Sequence, residues 1–244
     1  MPTAERPRVL SIVIPAYNEE RFIGTLLRQI AAVDLASLGL DREVIVVDDC
    51  SRDRTAEIVA REPGVVLHRM ERNSGKGRAV RAGIELATGE YLIIQDADLE
   101  YDPNDYLKML PPILDGKADV VYGSRYMGRG KYPNQSWSAY LGGRSLSLAA
   151  LVFTGRYLTD TVTALKLFRR AALAALPLET TGFEMDHEIT ARMLALGARI
   201  VEEPISYFPR SREEGKKIGL RDWFKGVKTF MKYGGHEEDR GRSG

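Results

Sequence analysis

Apolar and polar positions alternate in blocks along the first half of the chain. Residues 9–14 form a β-branched run stopped by Pro15, which predicts a strand. From 20 to 32 the apolar residues Phe22, Ile23, Leu26, Leu27 and Ile30 recur at helical spacing. Residues 43–47 read as a second strand closed by Asp48 and Asp49. Asp53 is placed to cap a helix over 55–61, with Glu57 near its first turn. A strand over 65–67, a helix over 79–87, a strand over 91–94, a helix over 105–114 and a short strand over 120–122 complete the half. This alternation predicts a parallel sheet with helices on both faces, where ligands bind beyond the carboxyl ends of the strands. The polar clusters 15–19, 48–51 and 95–100 fall at three such ends and point to one site.

The second half is less regular. Residues 123–136 form a loop rich in Gly, Arg and Tyr. Segments 140–154 and 185–196 read as helices, 198–201 and 205–208 as extended, and 219–232 as a last helix. Residues 234–244 read as a frayed tail.

Composition narrows the class. A chain of 244 residues, 44% hydrophobic and 28% charged, is globular rather than disordered. The net charge of +1 gives no global basic field of the kind nucleic-acid binders carry, and none is expected as a partner. The one cysteine, Cys50, forms no internal disulfide, which fits a reducing compartment. The start is polar and carries Pro2 and Pro7, unlike a secretory signal. No run reaches the roughly 18 apolar residues of a spanning helix, so any membrane contact is expected to be peripheral or through an embedded partner.

Asp96-Ala97-Asp98-Leu99-Glu100 follows an apolar strand directly. Alternation places Asp96, Asp98 and Glu100 on one side, where three carboxylates repel unless a cation joins them. An all-oxygen set suits Mg²⁺ or Mn²⁺, with phosphates and waters completing the shell; the bland alternative is a solvated acidic turn before Pro103. Asp48 and Asp49 are fitted to ribose or base hydroxyls and N–H groups, or to capping the following helix. Asn73-Ser74-Gly75-Lys76-Gly77-Arg78 opens a helix and reads either as a phosphate cradle or as a plain turn. It lacks the Walker spacing, and Val80 stands where a dinucleotide fingerprint has its third glycine. His187 has no Cys or His companion at zinc spacing and reads as a packing or surface residue.

At these residues the sequence resembles glycosyltransferase family 2, and within it the polyprenyl-phosphate mannosyltransferases. The likeness rests on Ile12-Val13-Ile14-Pro15-Ala16-Tyr17-Asn18-Glu19, Val46-Val47-Asp48-Asp49-Cys50-Ser51, the acidic run, Gly123-Ser124-Arg125-Tyr126, and Arg210 through Lys216-Lys217. The resemblance implies a GT-A fold: a Rossmann-like, mostly parallel sheet flanked by helices, with residues 9–217 as one domain. Its donor half would be 9–123 and its acceptor half 124–217, followed by an amphipathic helix over 218–233. It implies a nucleotide-diphosphate sugar bound by Pro15, Tyr17, Glu19, Val47, Asp49, Lys76, Asp96, Ala97, Asp98 and Glu100, with Asp98 and Glu100 as metal contacts. Asp98, Arg125, Arg210 and Lys216 would carry the chemistry, and Arg125, Arg144 and Arg210 the acceptor. Two departures weigh on the acceptor side: 162–165 replaces the family's Gly–aromatic pair after Asp160, and 136–139 replaces its arginines before the acceptor helix.

The implied reaction is inverting transfer of a sugar, mannose favoured, to a polyprenyl phosphate at the cytoplasmic face of the membrane. A phosphate monoester, with a second pKa of about 6, is already ionised and needs no strong base. A hydroxyl acceptor would need one, for which Asp186 and Glu188 are the candidates. A soluble-acceptor transferase and a catalytically silent nucleotide-sugar binding subunit are the alternatives. In the last helix Leu220, Trp223, Phe224, Val227, Phe230 and Met231 share one side. Arg221, Lys225, Lys228 and Lys232 occupy the others, fitting either an anionic lipid surface or packing on the core. The polar, cation-flanked segment 210–217 reads as a lid over the loaded donor.

Overall fold

A computed structural model describes residues 8–127, 132, 135–209 and 220–235. Seven strands form one sheet: β1 (Arg8–Ala16), β2 (Leu40–Asp48), β3 (Val65–Arg69), β4 (Tyr91–Ile94), β5 (Val120–Ser124), β6 (Lys166–Arg169) and β7 (Ile200–Pro204). Their spatial order is β3-β2-β1-β4-β6-β5-β7. β1 pairs parallel with β2 and β4, β2 with β3, and β5 with β7, while β6 runs antiparallel between β4 and β5. The helices are α1 (Ile23–Ala32), α2 (Thr55–Val59), α3 (Lys76–Leu86), α4 (Tyr106–Leu114), α5 (Trp137–Thr154), α6 (Arg170–Ala174), α7 (Met185–Ala195) and α8 (Leu220–Tyr233).

The central strands are apolar on both faces because each face is covered by helices. Leu10, Ile12 and Ile14 of β1, Val44 and Val46 of β2, and Tyr91 and Ile93 of β4 pack with α1 and α4. The intervening Val13, Ile45, Val47, Leu92 and Ile94 face α3 and α7. This period of two within a continuous apolar run is the signature of a doubly covered strand. α3 lies close on β1: a Cβ on Gly83 would stand 2.3 Å from Val13 Cγ1. A third cluster joins α5, α7 and α8 through Leu146, Ala150, Ala191, Phe230 and Tyr233.

The structure departs from the sequence reading in four places. β6 and α6 are not foreseen; β6 is the antiparallel strand within the mostly parallel sheet. α3 begins at Lys76, three residues before the expected start at 79, with Gly75 as its N-cap and Gly77 in its first turn. Of residues 205–208, only Tyr207 pairs, in an isolated bridge to Tyr101. The supposed single apolar side of α8 also divides. Phe230 is fully buried and Trp223 and Val227 pack beside it, whereas Phe224 and Met231 are exposed with Arg221, Lys225, Lys228 and Lys232. No described helix is long and apolar enough to cross a membrane.

Candidate functional site

The order of the sheet reverses at β1, whose chain neighbours lie toward β2 and whose other flank is β4. The carboxyl ends of β1, β2 and β4 therefore border the crevice where such sheets bind ligands. Backbone strain gathers there. Among the described residues, the non-glycine residues with positive φ are Asn18 (56°), Cys50 (61°) and Leu99 (59°), one after each of these three strands. Left-handed conformations cost of order 1–3 kcal/mol each in bulky residues and persist where surroundings over-determine them.

The surroundings do so by hydrogen bonds between loops. Asn18 N–H donates to Ser51 Oγ (2.9 Å), and Arg52 N–H returns a bond to Asn18 Oδ1 (2.9 Å). Glu19 N–H donates to Thr55 Oγ1 (2.8 Å) and Glu20 N–H to Asp53 Oδ2 (3.1 Å), while Glu20 Oε2 accepts from Arg54 N–H (3.0 Å). Asp53 thus ties two loops as well as accepting from Thr55 N–H (3.0 Å) at the start of α2. Pro15, Tyr17 and Glu19 stand half-buried on this rim.

Asp48 is fully buried; it accepts from Ser51 N–H (3.1 Å) and pairs with Arg69 (3.2 Å). Asp49 accepts Ser74 N–H on Oδ1 (2.7 Å) and Gly75 N–H on Oδ2 (2.8 Å). This corrects the phosphate-cradle reading. The N–H groups of Ser74 and Gly75 go to Asp49, and that of Gly77 goes to Thr181 O (2.8 Å). The glycines serve close packing: a Cβ would meet Thr181 O at 2.5 Å from Gly75, which has φ +91°, and Thr180 O at 2.7 Å from Gly77. A ribose would have to share Asp49 with the turn it closes. The side chains of Val47 and Ala97 are buried in the two core layers, so a donor contact by either residue would be made through its backbone.

In the acidic run Asp96, Asp98 and Glu100 are each half-buried. Asp98 Oδ1 accepts Glu100 N–H (3.2 Å), and Glu100 Oε2 accepts from Tyr207 Oη (3.0 Å). Asp96 Oδ1 is held by Lys76 Nζ at 2.8 Å, and the same ammonium lies 3.3 Å from Asp186 Oδ2. Lys166, fully buried, approaches the other oxygen of Asp186 at 3.4 Å. Burial opposes the charge on Lys76, but Asp186 and Asp96 outweigh it and hold its pKa above the ordinary lysine value. Burial pushes Lys166 down, with Lys76 adding to that and Asp186 opposing it. Burial likewise opposes ionisation of Asp186, yet Lys166 and Lys76 bring its pKa below the ordinary aspartate value. Among the described residues no three His, Cys, Asp or Glu groups converge as a preformed metal cage. Mg²⁺ at phosphate sites takes only one or two carboxylates plus the substrate's oxygens, and the all-oxygen pair Asp98 and Glu100 fits that mode.

Arg125 is bound bidentately by fully buried Asp160, Nε to Oδ2 at 2.6 Å and Nη2 to Oδ1 at 2.8 Å. Asp160 is in turn fixed through its own N–H by Glu202 Oε1 (2.9 Å) of β7. Arg144 donates to Thr159 O (3.0 Å) and Tyr157 Oη (2.6 Å). The two guanidinium carbons lie 5.4 and 5.8 Å from the centroid of the Tyr126 ring, so the structure brings these acceptor candidates to one aromatic. Arg125 also lies 5.1 Å from the Tyr207 centroid, which links it to Glu100. Arg210 and Lys216, with the lid reading of 210–217, fall outside the described residues.

The two base candidates are both engaged. Asp186 lies between two lysines. Fully buried Glu188 accepts Glu179 N–H (3.0 Å) and Thr180 N–H (2.8 Å) and pairs with Arg192 (2.8 Å). His187 is a packing residue, its ring 5.2 Å from that of Phe230. Sequence reasoning missed Lys166, Tyr207 and Glu202. Only Lys166 left a signal, as a lone lysine inside the apolar run 164–168.

Comparison with known proteins bears on these residues. Residues 11–176 match the profile described as Glycosyl transferase family 2. The Dolichol-phosphate mannosyltransferase of Pyrococcus furiosus is 31% identical over 244 residues, covering 95% of this chain and 66% of that protein. The Low-salt glycan biosynthesis hexosyltransferase Agl6 of Haloferax volcanii is 32% identical over 207 residues, covering 84% of this chain and 49% of that protein. The chain thus spans from about half to about two thirds of the length of these relatives. Among solved structures, glucosyl-3-phosphoglycerate synthase from Mycobacterium tuberculosis in complex with UDP superposes with a TM-score of 0.71 at 21% identity, covering 94% of this chain and 81% of that one. Mannosyl-3-phosphoglycerate synthase from Rubrobacter xylanophilus gives 0.70 at 19% identity, covering 93% and 72%. Related structures of the first protein hold Mn²⁺ or Mg²⁺ with UDP. These likenesses, with the mostly parallel seven-stranded sheet, make the fold GT-A.

Proposed function

The chain belongs to glycosyltransferase family 2, and we propose that it transfers a sugar, mannose favoured, from a nucleotide diphosphate to a polyprenyl phosphate with inversion. The observation that carries the acceptor class is the engagement of Asp186 and Glu188. Asp186 is pinned between two lysines that lower its affinity for a proton, and Glu188 is consumed by two N–H groups and Arg192, so both are poor bases for a hydroxyl. A phosphate acceptor, already anionic with a second pKa of about 6, dispenses with that proton transfer. The name of the Pyrococcus relative supports the same class.

On this reading the donor lies across the ends of β1, β2 and β4. As the anomeric C–O bond breaks, negative charge builds on the leaving diphosphate, and Lys76 at the edge of the acidic run is placed to stabilise it. A divalent cation, Mg²⁺ or Mn²⁺, held by Asp98 and Glu100, would neutralise part of the same charge. The acceptor oxygen attacks C1 from the opposite face, forming one C–O bond as the other breaks. Arg125 and Arg144, on either side of Tyr126, orient the acceptor phosphate. By resemblance, Arg210 and Lys216 are assigned to the leaving group or the acceptor phosphate.

A long lipid acceptor calls for an apolar approach. α5 turns Trp137, Leu141, Leu148 and Val152 outward along one side, and α8 exposes Phe224 and Met231 beside Arg221, Lys225 and Lys228. Such faces suit peripheral contact with an anionic bilayer at the cytoplasmic side. The test is incubation with a panel of nucleotide sugars, Mg²⁺ or Mn²⁺, and either a polyprenyl phosphate or 3-phosphoglycerate. The expected product is a lipid-linked sugar of inverted anomeric configuration. Transfer to 3-phosphoglycerate and none to lipid would overturn the acceptor reading.

A further inference from the structure

Four alternating charges run from the end of β4 into the interior. Asp96 meets Lys76 at 2.8 Å, Lys76 meets Asp186 at 3.3 Å, and Asp186 meets Lys166 at 3.4 Å. Lys166 ends the chain. Its side chain is fully buried, 5.0 Å above the Tyr122 ring, and its ammonium also donates to Asp186 O (3.1 Å) and Thr161 O (3.5 Å). It stands one residue pair behind the site and cannot itself reach a ligand in the crevice. Yet a buried ammonium is costly to maintain, and an uncharged side chain would fill the same space without that cost.

The contact lengths suggest what the charge does. Lys76 is shared between two carboxylates but sits nearer Asp96 than Asp186. Asp186 is neutralised from its far side by Lys166, which weakens its claim on Lys76. We propose that Lys166 is a positioning residue: by satisfying Asp186, it leaves the Lys76 ammonium directed at Asp96, at the mouth of the site, where it can turn to a diphosphate. Without the Lys166 charge, Asp186 would be a buried carboxylate with Lys76 as its remaining cation, and would draw that ammonium inward. The diphosphate would lose a charged partner while the base and ribose contacts stayed intact. Removing the charge of Asp186 as well would end the competition and return Lys76 to Asp96.

This inference rests on the donor reading above, and the test separates the two. The full chain is titrated calorimetrically with UDP and with GDP in the presence of MgCl₂, and with the corresponding nucleosides. If the wild type binds neither diphosphate, the donor reading fails and takes the role of Lys166 with it. If it binds one, Lys166→Met should weaken that diphosphate by about tenfold or more, the value of one charge-assisted hydrogen bond, and leave nucleoside affinity unchanged. Lys166→Arg should retain affinity. The double variant Lys166→Met/Asp186→Asn should recover to within about threefold of wild type, a gain that only coupled neighbours produce. Unchanged diphosphate affinity in Lys166→Met, equal loss of nucleoside and diphosphate, or a double variant no better than the single one would each overturn the proposal. Should Lys166→Met not fold, Asp186→Asn and the charge-balanced double variant decide. Both must bind the diphosphate within about threefold of wild type, and a tenfold loss in either refutes the competition.

Discussion

Acid should loosen the contact between α7 and α8 through His187. Its side chain is 5% exposed, its Nδ1 has no hydrogen-bond partner, and a Cβ on Gly226 of α8 would stand 2.8 Å from its ring. Burial, reinforced by the nearby Lys166 charge and opposed by Asp186, lowers its pKa from 6.5 to about 4. The folded protein therefore prefers neutral imidazole, while the unfolded chain takes up a proton near pH 6.5. The stability contributed by the neutral ring is complete above pH 6.5 and is lost as the pH falls toward the folded-state pKa of about 4. A tenfold difference in proton affinity between the folded and unfolded chain is worth about 1.4 kcal/mol, so at about pH 5 the loss amounts to about 2 kcal/mol. Other groups titrate in the same range, so the informative quantity is a difference. Denaturant unfolding of the wild type and of His187→Gln is followed at about pH 7.5 and about pH 5. The wild type should lose about 2 kcal/mol more than the variant between the two. Hydrogen exchange should locate the loss in α8. Equal losses in the two proteins, or acid-accelerated exchange that spares α8, would refute this account of the buried imidazole.

Asp98→Asn should keep the turn, because the amide oxygen can still accept Glu100 N–H, but lower turnover by about 10²–10³. A melting curve with a turnover assay checks both, and wild type fully active after chelation would remove the metal role. Gly77→Ala should destabilise by about 1–3 kcal/mol, since the new methyl meets the backbone of Thr180 and Thr181 rather than a movable side chain; an unchanged denaturation midpoint contradicts this. Charge reversal at exposed Lys225 and Lys228 should release the protein from anionic vesicles, each cation contributing about 1 kcal/mol. Co-sedimentation equal to wild type would leave α8 facing protein.

The donor half was legible because its strands are buried on both faces and stop abruptly. Val9 to Ala16 alternates between two helix layers, and the polar residues begin where the sheet ends, at Tyr17, Asp48 and Gln95. Periodicity finds such a pattern without knowledge of partners. β6 escaped for the opposite reason. It is four residues long, begins with a charged Lys166, and runs antiparallel to its neighbours, so neither length nor alternation marks it. Residue type alone named Asp49, Lys76 and Asp186 as polar site candidates but could not divide their duties. Asp49 turns out to cap the turn before α3, and Asp186 to share two lysines that lie 110 and 20 residues away in sequence. Long-range ion pairing of this kind leaves no periodic trace in the chain. The outward apolar side of α5 is similar: Leu146 and Ala150 are core, whereas Leu148 and Val152 are exposed, and only the positions of α7 and α8 distinguish them.

The placement of strain and charge bears on how this site achieves rigidity without secondary structure of its own. The residues after β1, β2 and β4 are loop residues, which on their own would be mobile and poor at fixing a diphosphate. Each instead carries one left-handed residue, Asn18, Cys50 or Leu99, that turns the chain sharply just past the strand. Each loop is then bound to another element: 18–20 to 51–55, Asp49 to the cap of α3, and Glu100 to Tyr207. The strained conformations cost of order 1–3 kcal/mol apiece, and the reciprocal hydrogen bonds, at about 1 kcal/mol each, are numerous enough to offset that. Ionic contacts are found at two of the three strand ends, but the carboxylate that Arg69 holds, Asp48, is fully buried, whereas Asp96, held by Lys76, is only half-buried. An ionic restraint can be exchanged for a ligand's charge, whereas a backbone hydrogen bond between loops cannot. On the donor reading proposed above, the base and ribose side of the crevice is permanently built and the diphosphate side is completed by the donor itself.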